Sequence, residues 1–219
     1  MNLETATTNC SVSLARAGEV IAIKENNTPN YSHAEQLHVF ISECMAESNI
    51  SFSELDAVAV SKGPGSYTGL RIGVSAAKGL CFSLDIPLIS IATLTSMASQ
   101  AIGNHDYIIP VLDARRMEVY SAVFDRDFTQ IRSTKAEIID AHSFGSFTKN
   151  KTVHILGSGA QKIKETLSDE FITFDGVCVP SSREMAQLSY QKYLKKDIED
   201  VAYFEPYYLK DFMLQSKKK

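Results

Sequence analysis

Residues 58–84 read VAVSKGPGSYTGLRIGVSAAKGLCFSL. A short β-branched run, Val58-Ala59-Val60, ends in a glycine-proline-glycine turn, and a stretch packed with small residues follows at once. Glycine permits positive φ and lets other groups come close. A glycine turn feeding a helix start is therefore either an anion site or a tight docking surface. Ser66 is placed to cap the helix, with Thr68 and Gly69 in its first turn. Leu70, Val74, Ala77, Cys81 and Leu84 form one stripe; Gly69, Ile72, Gly73 and Ala76 form a flatter one. A glycine inside a helix costs roughly 1 kcal/mol against alanine, so Gly69, Gly73 and Gly79 ask for a compensating contact.

Working outward, Leu3 to Ile23 alternates and predicts a hairpin turning at Ala17-Gly18. Glu25 to Tyr31 reads as a polar loop. Ser32 with Glu35 reads as a capping box, opening a helix with Leu37, Ile41, Cys44, Met45 and Ser48 on one stripe and Val39 and Phe40 off it. Ile86–Ile91 is expected as a buried strand and Thr93–Ile102 as a helix. Gly103 to Asp106 is the expected boundary between units 1–104 and 105–219. Beyond it, strands are expected at Tyr107–Leu112, Met117–Phe124, near Ala136–Ile139 and at Val153–Leu156, with helices from Ala160 and over Ser182–Leu194. The last helix is a candidate to return to the first half.

A faint repeat runs through the chain. Leu3-Glu4-Thr5-Ala6 precedes the alternating Cys10–Leu14, and Leu112-Asp113-Ala114-Arg115 precedes Val119–Val123. Each is a strand ending in an acid, a short turn and a second strand, with the acids 109 residues apart. The pattern predicts a duplicated α/β fold with two βββαβα-type subdomains and a cleft between them.

Composition narrows the function classes. The 219 residues are 44% hydrophobic and 22% charged, enough for a core and too apolar for wholesale disorder. A net charge of −4 argues against a strongly basic nucleic-acid face. Lys217–Lys219 read as a solvated tail rather than an RNA contact. No run is long enough to span a membrane, and the polar N-terminus lacks a basic-then-apolar leader, so a cytoplasmic chain is expected. Four scattered cysteines without a CxxC read as reduced core residues rather than disulfides or zinc ligands.

The GPGSYTGLRIGVSAAKGL block, the LETATTNCSVSL opening, the SHAEQL helix and the DARRMEVYSA segment closely resemble the TsaB family. The resemblance is strong over residues 3–124; GSGA and FEPYYLKDF echo family segments beyond. It implies an actin-like, hsp70-like ATPase (RNase H-like) fold that has lost its enzyme site. It also implies a non-catalytic scaffold in synthesis of the threonylcarbamoyl modification of tRNA adenosine. Such a scaffold pairs with the catalytic paralogue TsaD, is engaged by the ATPase TsaE, forms a homodimer in isolation, and meets tRNA only indirectly or weakly. Only Met1-Asn2-Leu3 precede Glu4, where family members carry a few more apolar residues, so a short first strand or a late start is expected.

The same residues speak against rival enzyme readings. Neither Glu4-Thr5-Ala6-Thr7 nor Asp113-Ala114-Arg115-Arg116 contains a glycine, whereas phosphate cradles need exposed backbone N–H groups and room. Arg115 and Arg116 could still meet an anion through their side chains. With Gly63 and Gly65 they are the only candidate cofactor contacts, and no cofactor is expected. GPGSYTGLR lacks a GK[ST] ending, and Lys162 breaks any GxGxxG after Gly157-Ser158-Gly159. His33 and His38 are five apart, so at ~100° per residue they diverge by about 140° and do not share a metal. Neither Ser66 nor Ser158 sits in a GxSxG elbow. Rivals kept open are an ATP-dependent phosphotransferase, a degenerate metallopeptidase-like protein and another kind of homodimeric regulator. No catalytic and no metal residue is expected. The expected partner interface is Leu37, Phe40 and Ile41 with Gly69, Leu70, Ile72, Gly73 and Ala76, because two-sided helices left exposed mark a docking surface.

Overall fold

The computed structural model describes residues 1–29, 32–167 and 169–209. Within them two five-stranded sheets share one design. In the first, β1 (Asn2–Glu4) pairs antiparallel with β2 (Asn9–Arg16), which pairs with β3 (Glu19–Asn27). On its other side β1 runs parallel to β4 (Val58–Gly63), and β4 to β5 (Leu88–Ala92). The second sheet is built from β6 (Tyr107–Asp113), β7 (Glu118–Asp125), β8 (Gln130–Ile138), β9 (Val153–Leu156) and β10 (Ile172–Asp175). Its order, β8-β7-β6-β9-β10, repeats β3-β2-β1-β4-β5. Glu4 and Asp113 thus end equivalent strands.

The helices are α1 (His33–Ser48), α2 (Tyr67–Leu84), α3 (Thr93–Ala98), α4 (Gly145–Thr148), α5 (Ala160–Ile163) and α6 (Ser182–Leu194). Strand alternation sends Leu3, Val12 and Val60 to one face of the first sheet, where they meet Leu37, Ile41, Val74 and Cys81 of α1 and α2. The other face receives α6, with Met185 among Ala59, Ile89 and Ile91 and Ser189 donating to Asn2 Oδ1 at 2.6 Å. Conversely Leu94 and Met97 of α3 pack with Ile108, Leu112 and Phe124 of the second sheet. Each half lends a helix to the other. All four cysteines are buried and free, and burial pushes their thiols up, Cys178 to about 12.

After α6 the chain returns along the first half as a strap. Glu199 bridges to Leu88. Lys78 Nζ donates to the carbonyls of Ala202 and Phe204, both at 3.1 Å. Tyr207 N–H donates to Lys62 O at 2.7 Å.

Several elements differ from expectation. Glu25–Asn27 belong to β3, not to a loop, because the Glu25 carboxylate gathers the hydroxyls of Ser11 (3.1 Å) and Ser181 (2.8 Å). Ser32 does precede α1 but makes no side-chain cap; its φ −120°, ψ 18° is not the extended geometry that aims the oxygen at the first turn. The capping box forms instead at Ser51 and Glu54, on the 3-10 turn Phe52–Glu54. The helix expected to Ile102 stops at Ala98, β8 begins at Gln130, and β10 is an additional strand. Tyr31, the Lys210–Phe212 part of FEPYYLKDF, and Lys217–Lys219 lie outside the described residues.

Candidate functional site

The first acidic turn is filled by the chain itself. Glu4 Oε1 accepts from Ala6 N–H at 2.6 Å and from the Ser61 hydroxyl at 2.8 Å. The carboxyl is fully buried; desolvation, with a smaller push from the Glu184 charge, raises its pKa to about 7 against these hydrogen bonds. Ser66 N–H donates to Ala6 O at 2.6 Å, and Ser66 Oγ accepts from Gly69 N–H at 3.2 Å. Two of the amides at the start of α2 that could greet an anion, Ser66 and Gly69, are therefore engaged. Gly63 lies against Leu70 and the Tyr207 carbonyl, and Gly65 against Ala6. Neither opens onto a ligand space.

The glycines of α2 have a different use from the expected one. A Cβ on Gly69 would run into the Thr5 carbonyl oxygen, and one on Gly73 into Thr5 Oγ1. Both are buried. They let α2 lie on the end of β1 within the same chain rather than against a partner helix. Gly79 is the contrast: nothing stands within 4 Å of where its Cβ would be.

The second acidic turn is fastened by a lysine. Asp113 Oδ1 accepts from Arg115 N–H at 2.7 Å, as Glu4 does from Ala6. Lys162 Nζ adds Asp113 Oδ1 at 2.6 Å, Arg116 O at 2.8 Å and Glu118 O at 2.6 Å. Ser158 Oγ accepts from Asp113 N–H at 3.1 Å. Arg115 and Arg116, with φ of 72° and 51°, are exposed at the tip. No ion pair joins either to a described residue.

The two histidines part company. His33 is buried with Nε2 2.7 Å from Thr7 O, while His38 is exposed on α1. Among the described residues no group of three or more His, Cys, Asp or Glu could hold a metal, and no helix is long and apolar enough to cross a membrane.

The expected interface list divides. Leu37, Ile41, Gly69, Leu70 and Gly73 are buried inside the chain. Phe40, Ile72 and Ala76 are half-buried, and of these Ile72 and Ala76 face the outer side of the helix pair while Phe40 does not. There α1 and α2 form an open groove of about 610 Å³. Ala34 and His38 line it from α1; two i, i+4 rows of α2, Arg71–Ser75–Gly79 and Ile72–Ala76–Leu80, form the rest. The sequence reading left Arg71, Ser75 and Gly79 out of the interface, although their four-residue spacing places them in one row. Arg71 sits over the Tyr67 ring at 4.7 Å, and Tyr67 packs against Tyr208 of the strap at 4.9 Å.

Comparison with known proteins gives a consistent answer. The family described as "TsaD: tRNA N6-adenosine threonylcarbamoyltransferase" matches residues 27–215. The tRNA threonylcarbamoyladenosine biosynthesis protein TsaB of Haemophilus influenzae is 30% identical over 95% of this chain and 92% of its own. A Pseudomonas aeruginosa protein of solved structure, described as similar to the peptidase YEAZ, superposes with a TM-score of 0.85 at 22% identity, covering 95% of this chain and 98% of that one. The ethanolamine utilization protein EutJ of Carboxydothermus hydrogenoformans shares the fold, with a TM-score of 0.51 at 10% identity over 85% of this chain and 88% of that one. The fold is the actin-like ATPase fold, with its two sheets in duplicate.

Proposed function

Since the chain belongs to the TsaB family of tRNA threonylcarbamoyladenosine biosynthesis proteins, we propose that it serves there as a non-catalytic cytoplasmic scaffold. It pairs with the transferase paralogue TsaD through the outer face of α1 and α2, is engaged in that pair by the ATPase TsaE, and meets tRNA through its partners. In the absence of TsaD the same face takes a second copy of the chain.

The observation that carries this reading is the contrast between closed turns and an open helix face. An actin-like ATPase needs free amides and space at its two acidic turns to grip phosphates. Here Ala6, Gly65 and α2 fill the first, and in the second the amides of Asp113 and Arg115 are taken by Ser158 Oγ and Asp113 Oδ1. Meanwhile half-buried Ile72, Ala76 and Leu80 border a groove with no covering segment among the described residues. Apolar surface of this kind marks a protein partner.

Gly79→Trp tests the reading. Its side chain enters open space, so the thermal melt should stay near wild type while co-purification of co-expressed TsaD is lost. A tryptophan variant that still brings TsaD down would defeat the assignment. Retention of wild-type ATP hydrolysis by the isolated chain, absent from a matched blank, would favour the phosphotransferase reading instead.

A further inference from the structure

We infer that the groove between α1 and α2 is charged for a foreign helix that presents a carboxylate to Arg71, and that a second copy of this chain is its weaker occupant. The inference rests on the scaffold reading above and narrows what the partner must carry.

Among the described residues the only ionisable side chains lining the groove are Arg71 and His38, and no acid lines it. Glu35 of α1 and Glu205 of the strap are outside the lining. Arg71 is exposed, forms no ion pair with a described residue, and is held rather than free. Tyr67 lies under its guanidinium at 4.7 Å, and the Tyr208 ring packs on Tyr67 at 4.9 Å. Tyr207, next along the strap, is tied to Lys62 O at 2.7 Å. A guanidinium fixed in place loses less freedom on binding, and its fork matches a carboxylate with two parallel hydrogen bonds.

The rest of the lining suits a helix. Ser75, Ala76 and Gly79 are small and stand in adjacent i, i+4 rows, which let a second helix axis come close. Gly79 leaves its Cβ space open for a larger side chain of the partner.

A two-fold dimer would join this patch to itself. The joined surface would then contain two Arg71 and two His38 side chains and, from the described residues, no lining carboxylate. Removing a guanidinium from water without a counter-charge is costly. A partner helix with small residues and an Asp or Glu opposite Arg71 relieves that cost; a copy of this chain does not.

The test measures two dissociation constants: for the co-expressed TsaD and, by sedimentation, for self-association. Wild type, Arg71→Glu and His38→Glu are compared at low and high salt, with a melt of each variant as the folding control. Arg71→Glu should weaken TsaD pairing by about tenfold or more, and His38→Glu in the same direction by less. Salt should weaken wild-type pairing as it screens the contact. Self-association should hold or tighten in both variants. Unchanged TsaD affinity in folded Arg71→Glu, or self-association falling in step with it, overturns the inference. No wild-type pairing with TsaD at all would overturn the scaffold reading, a result plainly different from loss in one variant.

Discussion

The two halves carry the same turn solved in two ways. Glu4 and Asp113 end equivalent strands, and each carboxylate accepts the backbone N–H two residues on, at 2.6 and 2.7 Å. In the first half no cation among the described residues accompanies the acid: burial leaves Glu4 with a raised pKa, and α2 seals the turn with Gly69 and Gly73. In the second half Asp113 is half-exposed and a lysine ammonium closes the turn. The helices that follow differ equally. α2 has 18 residues and offers an outer face; α5 has 4 and is buried at Ala160 and Ile163. Duplication supplied two similar frames, and among the described residues the first follows its fourth strand with a long helix and the second with a short one.

If the first turn is sealed by backbone contact, the sharpest break is at Gly69. Gly69→Ala puts a Cβ onto the Thr5 carbonyl, which cannot swing away, and should cost about 3 kcal/mol or lead to insoluble protein. Gly79→Ala is the matched control in the same helix. Its Cβ meets nothing, so the change should stabilise by up to about 1 kcal/mol. Chemical denaturation of the pair reads both signs, and similar midpoints would refute the packing role given to Gly69.

The second break is electrostatic. The folded pKa of Glu4, about 7, lies above its ordinary value near 4.5. Between these values the folded chain binds more protons than the unfolded one. Stability from this group is therefore fully present below about pH 4.5, falls as pH rises, and levels off above about pH 7. Glu4→Gln keeps an oxygen for Ala6 and removes the titration. The wild type should lose up to about 3 kcal/mol relative to Glu4→Gln between pH 4.5 and 8. Parallel stability curves across that range would mean that Glu4 is not a buried, cation-free acid.

Much of this frame was legible from residues. The Ala17-Gly18 turn, the Ser66 cap, the limits of α6 and the paired acids all depend on local spacing or on a side chain's own reach. What escaped reading depends on who the neighbour is. A row of helix glycines states that something comes close, not whether it is Thr5 or another molecule; both impose the same steric demand. Glu25-Asn26-Asn27 looks like a loop because its strand state is imposed by Asn9, Ser11 and Ser181. The Ile172–Asp175 strand has only four residues, too few to show a period. The groove combines both difficulties: its rows were visible, but the division into buried Gly73 and accessible Ser75 required the packed sheet.

The smallest expected break falls on the second turn. Lys162 is bonded to one carboxylate and two carbonyls while remaining about one-fifth exposed, with Asp113 half-exposed. Partial exposure screens the ion pair, so most of the contribution comes from the two carbonyl hydrogen bonds. Lys162→Met keeps the aliphatic stem and should cost about 1–2 kcal/mol. The loss should also be local: amide exchange should accelerate at Ala114–Glu118, where Arg115 and Arg116 hold positive φ, and not at Thr5–Thr7. That asymmetry follows from the comparison, because the first turn is held by packing against α2 and the second by one side chain reaching across from α5. Equal acceleration at both turns would show that the halves are coupled more tightly than their separate fastenings imply.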